Sequence, residues 1–183
     1  MPLNLQILHF VPLVGLLVLA AGIDLKIRRI PNWLVLSVLL TGLIYPFTGG
    51  AHLSPSQALM GMAVGFCLPF LLFAIGALGA GDVKLLTGIG AWLGAWGVLY
   101  VFLVEAIVGM VIVLIYAGAS GRLSTLFRNS LMIALNMGHV KELGAEHVMA
   151  TGQSTRTVQQ TLPWAVPALI STIIVIWSMI GTR

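Results

Sequence analysis

Long runs of apolar residues, interrupted by very few charges, limit what this sequence can fold into. A helix needs about 20 apolar residues to cross the ~30 Å hydrocarbon core of a bilayer. Of the 183 residues, 59% are hydrophobic and only 8% are charged, whereas a soluble domain carries about 25% charged residues. We therefore predict an all-α integral membrane protein with one domain over residues 1–183. The apolar runs cover residues 4–23, 32–47, 57–78, 85–117 and 163–180.

The fourth run is too long for one upright span and short for two, so its topology needs a second criterion. Lys and Arg near the ends of spans prefer the cytoplasmic side. If the run crosses twice, turning near Gly94 to Gly97, eight of the nine basic residues fall on one side and only Arg183 lies opposite. We therefore predict six spans, with both termini outside and residues 24–31, 79–84 and 118–162 in the cytoplasm. The eight are Lys26, Arg28, Arg29, Lys84, Arg122, Arg128, Lys141 and Arg156.

The segment between the fourth and fifth runs is the longest connection in the chain. Its first half spaces Leu123, Leu126, Phe127 and Leu131 as one face of a helix, with Arg122 and other polar residues on the remaining faces. This pattern predicts an amphipathic helix lying on the inner leaflet. The polar remainder of residues 118–161 is predicted to be a loop.

Several classes of function are excluded by what the chain contains. Nucleic-acid binding needs a basic surface, which nine Lys and Arg spread over this sequence do not supply. The single cysteine, Cys67, forms no CxxC pair and is expected to be a small packing residue. The four histidines show no metal-ligand spacing, so neither a metal nor another cofactor is predicted.

Asp24 and Asp82 are the only aspartates in the chain, and the predicted topology places both at the cytoplasmic membrane face. Ionisable residues in membrane segments are functional candidates by default. Two carboxyl groups a few ångströms apart share a proton and titrate as a pair. One can then act as a base that activates water while the other polarises a carbonyl group, as in an aspartic protease. We predict that Asp24 and Asp82 are the catalytic pair.

Residues around the pair are expected to shape the site or contact the substrate. Gly79 and Gly81 let the backbone approach a substrate strand closely and permit positive φ. Lys26 and Lys84 act as orientation signals that touch lipid head groups, with substrate binding as a second role. Glu105 lies inside an apolar run, either hydrogen-bonded between helices or lining the site, and the structural role is favoured. Gly61 and Gly65 form a GxxxG pattern typical of helix packing.

Other interpretations of the aspartates stay open on the residues alone. Asp24 lies four residues before Arg28, so it could simply form an ion pair with that residue on one helix face. Asp82 follows a glycine-rich turn, so it could simply cap the next helix. A proton-coupled carrier, or a membrane scaffold of a secretion system, would use the same two aspartates as proton or ion sites.

At these two motifs the chain resembles the type IV prepilin peptidase family of membrane aspartic proteases. The resemblance rests on Asp24 within DLKIRRIPN and on the GxGD sequence at residues 79–82, continued as VKLLTGIGAWLG. The sequence LPWAVPALIS at the last span is a further family-like feature. Presenilin-type proteases share GxGD alone, whereas both motifs in this order are specific. The resemblance covers about residues 11–117 and 162–178.

The resemblance implies cleavage of the short basic leader of a prepilin or pseudopilin at the cytoplasmic face of the bacterial inner membrane, without a cofactor. The implied partners are that substrate, the lipid bilayer and pilus-assembly proteins. Larger family members carry paired CxxC motifs and also methylate the new N-terminus. This chain has no such motif, so it resembles the short, peptidase-only members found with Tad/Flp pili. The polar loop within 118–161 departs from the most compact members.

Overall fold

The computed structural model describes residues 3–48, 53–74, 78–119, 121, 128 and 164–181. All regular secondary structure among these residues is helical, which confirms the all-α prediction. The predicted interfacial helix and the polar loop after it lie outside the described residues. The helices are α1 (Leu3–Ile27), α2 (Asn32–Ile44) continued by a 3-10 turn (Tyr45–Phe47), α3 (Pro55–Ala74), α4 (Ala80–Ala119) and α5 (Ala165–Gly181).

A short connection joins α1 to α2 at the end of the molecule that carries the aspartates. Arg28 adopts the left-handed conformation with φ 55°, which ends α1 as a helix C-terminal residue often does. Pro31 follows in extended conformation and is the N-cap of α2. Because proline disfavours the helical conformation of the residue before it, the chain leaves α1 and starts α2 within four residues.

The long helix α4 contains a chain reversal at Gly94. This glycine has φ 73° and ψ −179°, a combination that is essentially restricted to glycine. A Cβ atom on Gly65 would lie 2.5 Å from the Leu86 carbonyl oxygen and 3.2 Å from Val98 Cγ2. In a continuous helix, residues 86 and 98 would be about 18 Å apart. The chain therefore folds back, and the turn predicted near Gly94 is confirmed. We call residues 80–93 the first arm of α4 and residues 95–119 the second arm.

Glycines allow α3 to pack closely against both arms of α4. A Cβ on Gly61 would collide with the carbonyl group of Gly90 and with Cα of Gly94. Van der Waals packing over small residues is a main source of association between helices in a membrane. The prediction that Gly61 and Gly65 are packing residues is confirmed.

The first arm of α4 forms the centre of the bundle. Every residue from 85 to 94 is buried, as expected for a helix that is apolar on all faces. On one side α2 crosses it, where Trp92 Nε1 donates a hydrogen bond to the Val38 carbonyl oxygen at 3.0 Å. The Trp92 ring also stacks on Tyr45, with centroids 4.8 Å apart. The helices α3 and α5 also contact α4, and α1 contacts α5 and α2.

The outer surface of the bundle is apolar. Phe47 and Trp177 expose about three quarters of their side chains, and Cys67 is also exposed on α3. The expectation that Cys67 is a small packing residue is therefore wrong, since its side chain is exposed on the outer surface of the bundle. Three segments are long and apolar enough to cross a membrane, and 32–47 and 165–181 are shorter apolar helices. The helix lengths alone do not support a count of six spans. The three segments that are long enough to cross a membrane are Leu8–Ile27, Pro55–Ala74 and Ala80–Ile115.

Candidate active site

Asp24 lies one turn before the end of α1 and points into the bundle, where only 5% of it is exposed. Its Oδ2 atom accepts a hydrogen bond from the backbone N–H of Ala165 at 3.0 Å. Ala165 is the first residue of α5, and the first N–H groups of a helix have no partner within that helix. The Asp24 carboxylate therefore caps α5 from a different helix, in a position where the helix dipole favours negative charge.

Asp82 lies in the first turn of α4. It is 6% exposed, and its Oδ2 atom accepts a hydrogen bond from the backbone N–H of Gly79 at 3.2 Å. An acidic side chain in the first turn that reaches back to the N-cap N–H is half of a capping box. The capping interpretation of Asp82 is thus confirmed, and it is compatible with a catalytic role because the carboxyl group stays within the bundle.

The fold brings the two aspartates together. Asp24 lies within electrostatic range of Asp82, and Glu105 on the second arm of α4 lies within range of Asp82 as well. Three helix ends meet here: the last turn of α1, the first turn of α4 and the start of α5. The second arm also reaches this end, since a Cβ on Gly109 would lie 3.2 Å from the Trp164 ring.

The two glycines of the GxGD motif differ in what the structure requires of them. A Cβ on Gly79 would lie 2.8 Å from Asp82 Oδ2, so only glycine leaves room for this carboxylate. A Cβ on Gly81 would meet nothing closer than Ile30 Cδ1 at 3.8 Å, an ordinary contact. Neither glycine uses the positive φ that glycine permits, because the positive-φ glycines among the described residues are Gly94 and Gly121.

The two predicted lysines lie on the surface near this end. Lys84 is exposed, and its Nζ donates a hydrogen bond to Asn32 Oδ1 at 3.2 Å. Lys26 is also exposed, in the last turn of α1. Neither ammonium group is buried with the aspartates, so any contact with a substrate or lipid head group would be made at the rim of the site.

The structure adds two groups that the sequence did not assign to the site. The first is the backbone N–H of Ala165, which is 141 positions from its acceptor Asp24. The sequence signal for this helix start was the pair of prolines in LPWAVP. Proline is common in the first turn of a helix, and Pro167 lies in the first turn of α5. The second is Glu105, for which a structural role was favoured. Its Oε2 has no hydrogen-bond partner among the described residues, and it lines a cavity instead.

Within the described part of the chain, no group of three or more His, Cys, Asp or Glu residues is arranged to hold a metal ion. The three buried carboxyl groups are held by backbone hydrogen bonds or line a cavity. Carboxyl groups in these positions can act as acid and base.

Residues 11–114 match the model of the type IV leader peptidase family. This segment is more than half of the chain, and it contains both aspartates and the GxGD motif. The chain belongs to the type IV leader peptidase family.

Curated relatives match this chain over only part of their own length. The prepilin leader peptidase/N-methyltransferase of Pectobacterium carotovorum subsp. carotovorum is 37% identical over 113 residues, which are 58% of this chain and 40% of that protein. The protein of the same name from Xanthomonas campestris pv. campestris is 33% identical over 113 residues, 58% of this chain and 39% of that protein. The preflagellin peptidase of Methanocaldococcus jannaschii is 39% identical over 82 residues, 43% of this chain and 34% of that protein.

The chain thus spans about two fifths of the length of the bacterial relatives that it matches. No solved structure matches it significantly. Membership of the leader peptidase family agrees with the resemblance found at the two motifs, and it directs attention to peptide-bond hydrolysis at the buried aspartates.

Proposed function

We propose that this protein is a membrane-embedded aspartic endopeptidase in which Asp24 and Asp82 activate a water molecule. The observation that carries the proposal is that two buried carboxyl groups from distant parts of the chain lie within electrostatic range of each other, each anchored by a backbone N–H at the start of a helix. Such anchoring fixes the carboxyl groups with little side-chain freedom, and preorganised groups are what acid-base catalysis requires.

The proposed reaction needs only these two groups and water. The ionised carboxylate of the pair removes a proton from water as the oxygen attacks the scissile carbonyl carbon. The protonated partner donates a hydrogen bond to the carbonyl oxygen. The resulting tetrahedral intermediate breaks its C–N bond, and the leaving amine takes the proton that the base had accepted. The base is thereby ionised again and its partner keeps its own proton, so the pair returns to its starting state.

The proposed substrate is the leader peptide of a prepilin or pseudopilin, cut at the cytoplasmic face of the inner membrane. This choice is supported by the names of the bacterial relatives and by the basic residues exposed near the aspartates. Gly79 shapes the site by admitting the Asp82 carboxylate, while Lys26, Lys84 and Gly81 border the path of the substrate. The proposal is limited to proteolysis, since the sequence has one cysteine and no CxxC motif. We place this activity with the peptidase-only members that serve Tad/Flp pili, which implies contact with pilus-assembly proteins.

The proposal includes six crossings of the membrane. Its support is the reversal at Gly94, after which the second arm of α4 returns to the end of the bundle that carries Asp82 and Trp164. Two crossings of α4 place the described basic residues Lys26, Arg28, Arg29 and Lys84 on the same side as the end of α4 and the start of α5. This arrangement follows the preference of Lys and Arg for the cytoplasm.

Exchange of each aspartate for asparagine tests the mechanism, because asparagine keeps the size and an acceptor oxygen. In proteoliposomes containing a prepilin from the same genome, Asp24→Asn and Asp82→Asn should each lower the cleavage rate by about 10²- to 10⁴-fold. The double variant should be no slower than the single ones, because residues that act as a unit are not additive. The mass of the product identifies the new N-terminus.

Folding is checked for the same variants by their elution as intact protein in detergent. Full cleavage by either single variant would contradict the assignment of the pair. Failure of the wild-type protein to cleave, together with proton flux into the vesicles that both substitutions abolish, would instead support the proton-coupled carrier.

A further inference from the structure

Glu105 is a third buried carboxyl group beside the aspartate pair, and the proposed reaction does not use it. Only 5% of this residue is exposed, and its Oε2 atom has no hydrogen-bond partner within the described residues. Leaving a buried polar atom without a partner is costly in the resting protein. A residue held in this state at the edge of a site is suited to contact a ligand.

Glu105 lines a half-open cavity of about 280 Å³ between α3, both arms of α4 and the start of α5. The cavity lies next to the aspartates. Its walls include Leu78, which precedes the Gly79 donor, and Leu86, which is one turn after Asp82 on the same helix face. They also include Trp164, which precedes the Ala165 donor to Asp24. A group bound in this cavity would therefore sit beside the reacting bond.

The lining of the cavity defines the chemistry of its occupant. Apart from Glu105, the walls are formed by apolar side chains and a glycine. The buried acidic and basic residues among the described ones are the three carboxyl groups Asp24, Asp82 and Glu105, with no lysine or arginine. A buried carboxyl group inside apolar walls, with no buried lysine or arginine beside it, is complementary to a group with an apolar stem and a positive, hydrogen-bonding end. Lysine and arginine side chains have this form.

On the basis of the proposed peptidase function, we propose that this cavity is a specificity subsite. It receives a basic side chain of the substrate close to the scissile bond, and Glu105 accepts a hydrogen bond from its charged end. The apolar walls cover the aliphatic stem. A hydrogen bond to a charged group typically changes binding by about tenfold to a hundredfold, so Glu105 would discriminate lysine from an uncharged residue of similar length.

The test compares leader substrates that carry either Lys or Met at each of the three positions on both sides of the cleaved bond. For the wild-type protein in proteoliposomes, kcat/KM for Lys should exceed that for Met by about tenfold or more at one position. In Glu105→Gln the preference at this position should nearly disappear, through a change in KM for the Lys substrate. Thr172→Val is the matched control, because it removes another buried polar atom without a partner among the described residues and lies outside the cavity. It should keep the preference.

Other results would overturn either the subsite or the peptidase function, and the two cases can be told apart. A wild-type protein that cleaves the substrates without preferring Lys anywhere, or a Glu105→Gln variant that keeps the preference, overturns the subsite and leaves the peptidase intact. A wild-type protein that cleaves no leader overturns the peptidase itself. If the Glu105→Gln protein does not accumulate in the membrane, the same comparison is made with Ala106→Phe, since Ala106 lines the same cavity. It should abolish the preference by filling the subsite, and an unchanged preference would refute the proposal.

Discussion

Asp24 and Asp82 are held in the same way, each by the N–H of a residue at the start of a helix. The partner of Asp82 is three residues away, so the motif itself predicts the contact. The partner of Asp24 belongs to α5, at the other end of the chain. This second anchor brings Ala165 to the candidate site although its side chain takes no part in the proposed reaction.

The two glycines of GxGD provide a matched test at this scale. In Gly79→Ala, the new Cβ would lie 2.8 Å from Asp82 Oδ2, so the carboxylate must move. Misplacement of a catalytic group by about 1 Å can lower a rate by about 10²-fold, and we expect a loss of this order in leader cleavage.

Gly81→Ala is the comparison for that substitution. Gly81 also borders the proposed path of the substrate, but its Cβ would make only an ordinary contact with Ile30 and would not displace the Asp82 carboxylate. Alanine also stabilises a helix relative to glycine by roughly 0.5–1 kcal/mol. We expect cleavage to stay within about threefold of the wild-type rate, as for a tolerated surface change of under 1 kcal/mol. Equal losses in both variants would show that the motif acts through something other than the room it leaves for Asp82.

At the scale of helices, the reversal within α4 decides which residues meet. The first arm carries Asp82 into the centre of the bundle, and the second arm returns Glu105 to the same end. A straight helix would separate these two residues by about 35 Å. The apolar pattern is the same for both geometries, and Gly94 is the residue that permits the turn.

Gly94→Ala should destabilise the protein by about 1–3 kcal/mol, because alanine is strained at φ 73° and ψ −179°. The measurement is the apparent melting temperature in detergent. Gly15→Ala is the matched control, since this α1 glycine has nothing within 4 Å of the position of its Cβ and should be neutral or slightly stabilised. If Gly94→Ala has the same melting temperature as the wild type, the turn does not depend on the positive φ of Gly94.

At the scale of the whole molecule, the topology is tested by reporter domains fused near residues 50 and 140. Six crossings place residue 50 outside and residue 140 in the cytoplasm, so the two fusions should report opposite sides. If α4 crosses only once, both positions lie outside and the fusions agree. The measurement is independent of enzymatic activity, and it decides whether the reversal at Gly94 occurs between two full crossings.

The sequence by itself determined the all-α class, four of the five helix positions to within a few residues, and the two aspartates as the residues to examine. Those inferences depend on composition, on span length and on charge near span ends, which are local properties. The second helix shows this agreement, because the apolar run predicted at 32–47 has the same bounds as α2 together with its 3-10 turn.

Only the tertiary structure decided how the carboxyl groups are held and which cavity they adjoin. The hydrogen bond from Ala165 to Asp24 joins residues 141 positions apart, and no local pattern encodes such a pairing. The same is true of Glu105, whose place inside an apolar run fitted either a packing role or a site. The structure places Glu105 on the wall of a cavity that Leu78 and Trp164 also line, and such neighbours depend on contacts between helices that are distant in the chain.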